Sequence, residues 1–96
     1  MQISIRYFTT LREIVGKKEE KLSFTENKKI TVTIVLKALS DKYGKSFIEY
    51  VFNSEGQVKN FLQLLINGVN TVNMCGTETV LQEGDVLAIL PPVGGG

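Results

Sequence analysis

The sequence predicts an α+β domain, with one main helix packed on one face of a mixed sheet of four to five strands. Three observations carry this. Gln2 to Phe8 alternates apolar and polar residues with a period of two. Val32 to Tyr43 carries an apolar stripe at helical spacing. Phe61 to Ile66 and Val86 to Leu90 are nearly continuous in apolar residues and are bounded by turn signals. A hairpin, then one helix, then further strands suits a helix laid across a sheet.

The first strand puts Ile3, Ile5 and Tyr7 on one face and Ser4, Arg6 and Phe8 on the other. Thr9 to Gly16 reads as a short turn or helical loop, with Gly16 as a reversal point. The mixed run Lys17-Lys18-Glu19-Glu20-Lys21 reads as the solvated part of a hairpin, and Leu22-Ser23-Phe24 continues its second strand. Thr31 is placed to cap a helix of about 12 residues. Its stripe is Val32, Val35, Leu36, Leu39 and Tyr43, and Gly44 ends it. Ser46 to Phe52 reads as a second short helix, and the polar stretch Asn53 to Asn60 as a loop.

Phe61 to Ile66 reads as a strand, and Asn67-Gly68 as a tight turn into a return strand over Val69 to Val72. Gly84-Asp85 marks the turn into the last strand, Val86 to Leu90. That strand is apolar on both faces. It is therefore central and buried, or one face is covered from outside the chain. One main helix covers one sheet face, which leaves the other as a candidate partner surface.

Composition excludes several function classes. The chain has 96 residues, enough for one domain. Net charge is +1, with 11 basic and 10 acidic residues, which gives no broad field for nucleic acid or an anionic membrane. No apolar run reaches the ~20 residues of a membrane helix. The first residues lack the pattern of a signal peptide, and the expected compartment is the cytoplasm. There is no histidine, which removes the commonest general base and metal ligand. The single cysteine, Cys75, excludes an internal disulfide and a thiolate zinc site. It reads as a small packing residue rather than a sulfur relay. No metal, no bound cofactor and no autonomous enzyme is expected.

The chain closes on Leu90-Pro91-Pro92-Val93-Gly94-Gly95-Gly96. Two prolines stiffen the exit from the last strand. The glycines make a thin tip that can thread a channel, and an extended Pro92–Gly96 segment spans on the order of 13 Å. We read residues 1–92 as the domain and 93–96 as a flexible tail whose α-carboxylate on Gly96 is the functional group.

These residues resemble a known family. Arg6-Tyr7-Phe8 with Leu11-Arg12-Glu13 is one match, and Thr31-Val32 opening a helix that ends near Tyr43 is another. Leu65-Ile66-Asn67-Gly68, then Leu81, Gly84-Asp85 and Leu90-Pro91-Pro92-Val93 before the glycines, is the third. The chain resembles the MoaD family, the small subunit of molybdopterin synthase, among the ubiquitin-like sulfur carriers that include ThiS. Lys45 to Asn60 matches nothing definite in that family, and Gly94 sits where it varies.

The resemblance implies a β-grasp, ubiquitin-like fold and a non-catalytic carrier. It implies that a MoeB-like adenylyltransferase uses ATP to convert the Gly96 carboxylate to an acyl-adenylate. Sulfur then displaces AMP to leave a thiocarboxylate. A MoaE-like large subunit would take that end, threaded on Gly94 and Gly95, and use its sulfur for the dithiolene of the molybdenum or tungsten cofactor. Leu90, Pro91, Pro92 and Val93 match the family's partner interface, with Arg12 beside it and Phe8 extending its apolar patch. The same terminal residues also serve a ubiquitin-like modifier joined to lysines, or a thiamine-pathway carrier.

Overall fold

The computed structural model describes residues 1–25 and 28–91. The element order is β1 (Gln2–Tyr7), α1 (Thr9–Val15), β2 (Glu19–Ser23), β3 (Ile30–Thr31), α2 (Val32–Tyr43) and α3 (Lys45–Val51). There follow β4 (Gln63–Ile66), β5 (Val69–Asn70), two 3₁₀ turns (Thr71–Asn73 and Gly76–Glu78), β6 (Val80–Leu81) and β7 (Val86–Leu90). The main sheet has the order β2-β1-β7-β4-β5, and β3 pairs with β6 in a separate ladder. Only β1 and β7 run parallel; the other pairs in the main sheet are antiparallel. The fold is a β-grasp: a five-stranded mixed sheet with helices on one face.

The core follows from alternation. Ile3, Ile5 and Tyr7 of β1, Leu87 and Ile89 of β7, and Leu64 and Ile66 of β4 face inward. Against them lie Val32, Val35, Leu36 and Leu39 of α2, Leu11 and Val15 of α1, and Phe47 and Val51 of α3. The cap on α2 is as the sequence indicated: the Thr31 hydroxyl oxygen accepts from the Ile34 N–H at 3.3 Å. Gly44 stops the helix with φ 78°, its N–H bonding the Ser40 carbonyl at 2.9 Å. The chain turns there at once into α3, close to the short helix expected over Ser46 to Phe52. Thr9 to Val15, the expected short turn or helical loop, is a seven-residue helix closed by Gly16 at φ 81°.

Four expectations are corrected. The strand at Phe61 begins two residues later, at Gln63. The Leu62 N–H bonds the Lys59 carbonyl in a turn, and Phe61 is exposed beneath the Lys59 ammonium. The return strand ends at Asn70 instead of Val72. The Asn70 side-chain oxygen accepts from the Val72 N–H at 3.0 Å, which caps a 3₁₀ turn in place of a ladder. Cys75 is exposed and does not pack. The charged hairpin run is not wholly solvated. β2 pairs with β1 from Glu19, and that register turns Glu20 inward opposite Ile5.

Candidate functional site

Because β1 and β7 are parallel, with Tyr7 level with Ile89, both chains leave the sheet at the same rim. One continues through Phe8 into α1, and the other through Leu90 into Pro91. The last described residue of the tail root therefore stands beside Phe8.

Alternation fixes what surrounds that root. On the face away from the helices β7 presents Val86, Ala88 and Leu90, all half-buried. Leu65 lies across from Ala88 on one side and Arg6 on the other, while Gln63 lies across from Leu90. Phe8 is half-buried, and the Arg6 guanidinium sits 5.7 Å from its ring centroid. Apolar Val86, Ala88, Leu90 and Leu65 thus form a strip along the sheet centre. Ser4 and Arg6, with Glu19 opposite Arg6, edge it on the β1–β2 side. Among the described residues no helix lies over this sheet face, the second face that the two-sided apolar character of β7 indicated.

Of the residues singled out in the sequence, Leu90, Phe8 and Pro91 come together at this rim. Arg12 is exposed on α1, where Leu11 and Val15 take the core positions. No hydrogen bond or ion pair among the described residues joins it to the Leu90 face. Pro92, Val93, Gly94, Gly95 and Gly96, and with them the domain boundary at 92, lie outside the described residues. On the helical side an open groove of about 730 Å³ is floored by Leu36, Ile48, Phe52 and Val58, on the opposite side of the sheet from Leu90.

One polar cluster was not legible as such. Glu20 has a side chain only 6 % exposed. The hydroxyls of Tyr7 and Tyr43 both donate to its Oε2. The Lys42 ammonium donates to Oε1 at 2.6 Å, with Lys17 at 3.5 Å. Burial pushes the Glu20 carboxyl up. The hydrogen bonds from Lys42, Tyr43 and Tyr7, with the Lys42 charge, outweigh burial and hold it at about 2. Burial, then the Glu20 hydrogen bond and charge, pushes the Tyr7 phenol far up. The Glu20 hydrogen bond raises Lys42. A carboxylate this firmly ionised is a clamp between β2, β1 and α2, and a poor proton carrier. The signal for it was the alternation Glu20, Leu22, Phe24, which continues one face of β2.

Among the described residues no group of three or more His, Cys, Asp or Glu side chains is placed to hold a metal. No described helix is long and apolar enough to cross a membrane.

Residues 5–96 match the ThiS family. The chain belongs to the ThiS family. The match runs from Ile5, within β1, to Gly96. This ThiS-family chain is 33% identical over 96 residues to small archaeal modifier protein 3 of Haloferax volcanii, covering 100% of both. Its fold superposes on the crystal structure of SAMP1 from Haloferax volcanii with TM-score 0.84, 25% identity and 100% coverage of both chains. It also superposes on a putative molybdopterin converting factor subunit 1 from Pyrococcus furiosus with TM-score 0.75 and 23% identity. That likeness covers 97% of this chain and 99% of the other, and it bears on the fold alone. The ThiS-family chain is thus a ubiquitin-like protein of the sulfur-carrier and modifier superfamily.

Proposed function

We propose that the chain is a carrier activated at its own C-terminus, with the Gly96 carboxylate as the reacting group. The observation that supports this reading is the family match, which extends to Gly96, on a chain whose last strand leaves the sheet at the rim beside the end of β1. An α-carboxylate, ionised at pH 7, is a poor electrophile. Its oxygen attacks the α-phosphorus of ATP on an adenylylating partner, pyrophosphate leaves, and an acyl-adenylate forms. A sulfide-equivalent nucleophile then displaces AMP and leaves a thiocarboxylate. The chain itself supplies no acid, base or cofactor to these steps. The partner docks on Leu90, Phe8, Pro91, Pro92 and Val93 and makes a further contact with Arg12 on α1. Gly94 and Gly95 thread the partner's channel.

Two acceptors have support. The modifier protein that matches end to end favours transfer of the activated acyl group to lysine amines. The Leu90-Pro91-Pro92-Val93 ending favours delivery of the thiocarboxylate sulfur to a pterin precursor in a MoaE-like large subunit, after activation by a MoeB-like enzyme. Incubation with the activating enzyme, ATP and a sulfur donor, read by intact mass, tests the shared step. A gain of about 16 Da, sulfur for oxygen, is expected on the native chain and absent on Gly95→Val or a chain lacking Gly96. Normal gain on either variant defeats the reading. Adding lysine-bearing proteins or the pterin precursor then separates conjugation from sulfur delivery.

A further inference from the structure

β1 ends at Tyr7 and α1 begins at Thr9, so Phe8 is the single residue between strand and helix. The chain must pass within that one step from the open face, where Phe8 lies, to the helical face, where Leu11 is buried. Phe8 itself stays extended, with φ −133° and ψ 147°. The reversal falls on Thr9, which adopts φ 47°. Left-handed backbone suits glycine and is disfavoured for a β-branched residue, whose Cβ crowds the following carbonyl. Asn67, the other described non-glycine residue in this region, sits in a tight turn with glycine after it. Thr9 also lies in a turn, closed by the Leu11 N–H donating to the Phe8 carbonyl at 3.2 Å, but no glycine shares that turn and a β-branched residue takes its left-handed position, at the rim where the tail departs. Strain of this kind persists where the surroundings over-determine it, and it collects at functional sites.

We infer that the left-handed turn at Thr9 is a positioning device, which holds Phe8 beside Leu90 at the tail root in the orientation that the activating partner reads. The inference rests on the proposal that an adenylylating partner engages this rim. Thr9 touches none of the reacting atoms and acts through Phe8. The Arg6 guanidinium over the Phe8 ring holds the same side chain from the strand side.

The test is Thr9→Gly against the native chain, with thermal melting, NMR relaxation at Phe8 and steady-state adenylation measured on each. Glycine relieves the strain, so Tm should rise by about 4–8 °C. Phe8 becomes more mobile, and KM for the carrier rises roughly five-fold with kcat unchanged. Thr9→Asn, which tolerates the left-handed region and keeps a Cβ, should restore a KM near native. A Tm that falls, a variant that does not fold, or a KM that stays native overturns the inference while leaving Gly96 activation standing. A native chain that is never adenylated overturns both.

Discussion

At the scale of single residues, the clamp on Glu20 makes the sharpest statement about stability. Its carboxyl titrates near 2 in the fold against an ordinary value of 4.5. A depressed folded value means that the unfolded chain takes up the proton first as pH falls. The stabilisation is therefore complete above about pH 4.5 and is lost as pH drops toward 2. Its size is on the order of 2–3 kcal/mol. Urea unfolding between pH 2 and 7 should show this slope in the native chain, and Glu20→Gln should flatten it. The same variant should lose about 2 kcal/mol at pH 7. Unchanged slope in the variant would put the acid sensitivity elsewhere. Tyr43→Phe should cost less, since Tyr7 and Lys42 still reach the carboxylate.

At the scale of elements, β7 combines two roles. Leu87 and Ile89 are core, while Val86, Ala88 and Leu90 look outward. Leu90→Glu should therefore cost only on the order of 1 kcal/mol, because the side chain is half-exposed. It should weaken the activating partner's binding at least ten-fold, measured by calorimetry beside a melting curve. Global unfolding instead would make Leu90 a core residue. This two-sidedness was legible, because an apolar run with one helix to cover it has too many faces for its cover. The stripe of α2, the Thr31 cap, the Gly44 stop and the Asn67-Gly68 turn were legible for similar local reasons.

What sequence reasoning missed depends on pairing between distant segments. Glu20 looks solvated until the register with β1 sets it opposite Ile5. Apolar Val72 suggested a longer return strand, yet the Asn70 side chain outcompeted the ladder. Cys75 carries no local sign of which side of a 3₁₀ turn it occupies. Of the candidate site, Leu90 and Phe8 could be placed by alternation alone. The left-handed Thr9 could not, since nothing in the residue type invites that conformation.

At the scale of the molecule, charge is divided more than the net value suggests. Residues 1–45 hold 10 basic and 5 acidic side chains, and residues 46–96 hold 1 and 5. The first group builds the β2–β1 side of the sheet and the second the β4–β5 side, with apolar β7 between. A partner that settles on the strip meets opposite fields on its two flanks, which sets its orientation. The core cluster from Ile3 to Ile89 is built of residues that precede the tail. Truncation after Pro92 should accordingly leave Tm within about 1 °C while abolishing adenylation. A large fall in Tm would show that the tail belongs to the fold.

The placement of β7 has a mechanical consequence. A partner that draws the tail inward pulls along the axis of the central strand. Its hydrogen bonds to β1 on one side and β4 on the other lie across that pull, so they are loaded together in shear instead of opening one at a time. The domain can thus anchor its own end against traction, while the same end remains the part that is handed over.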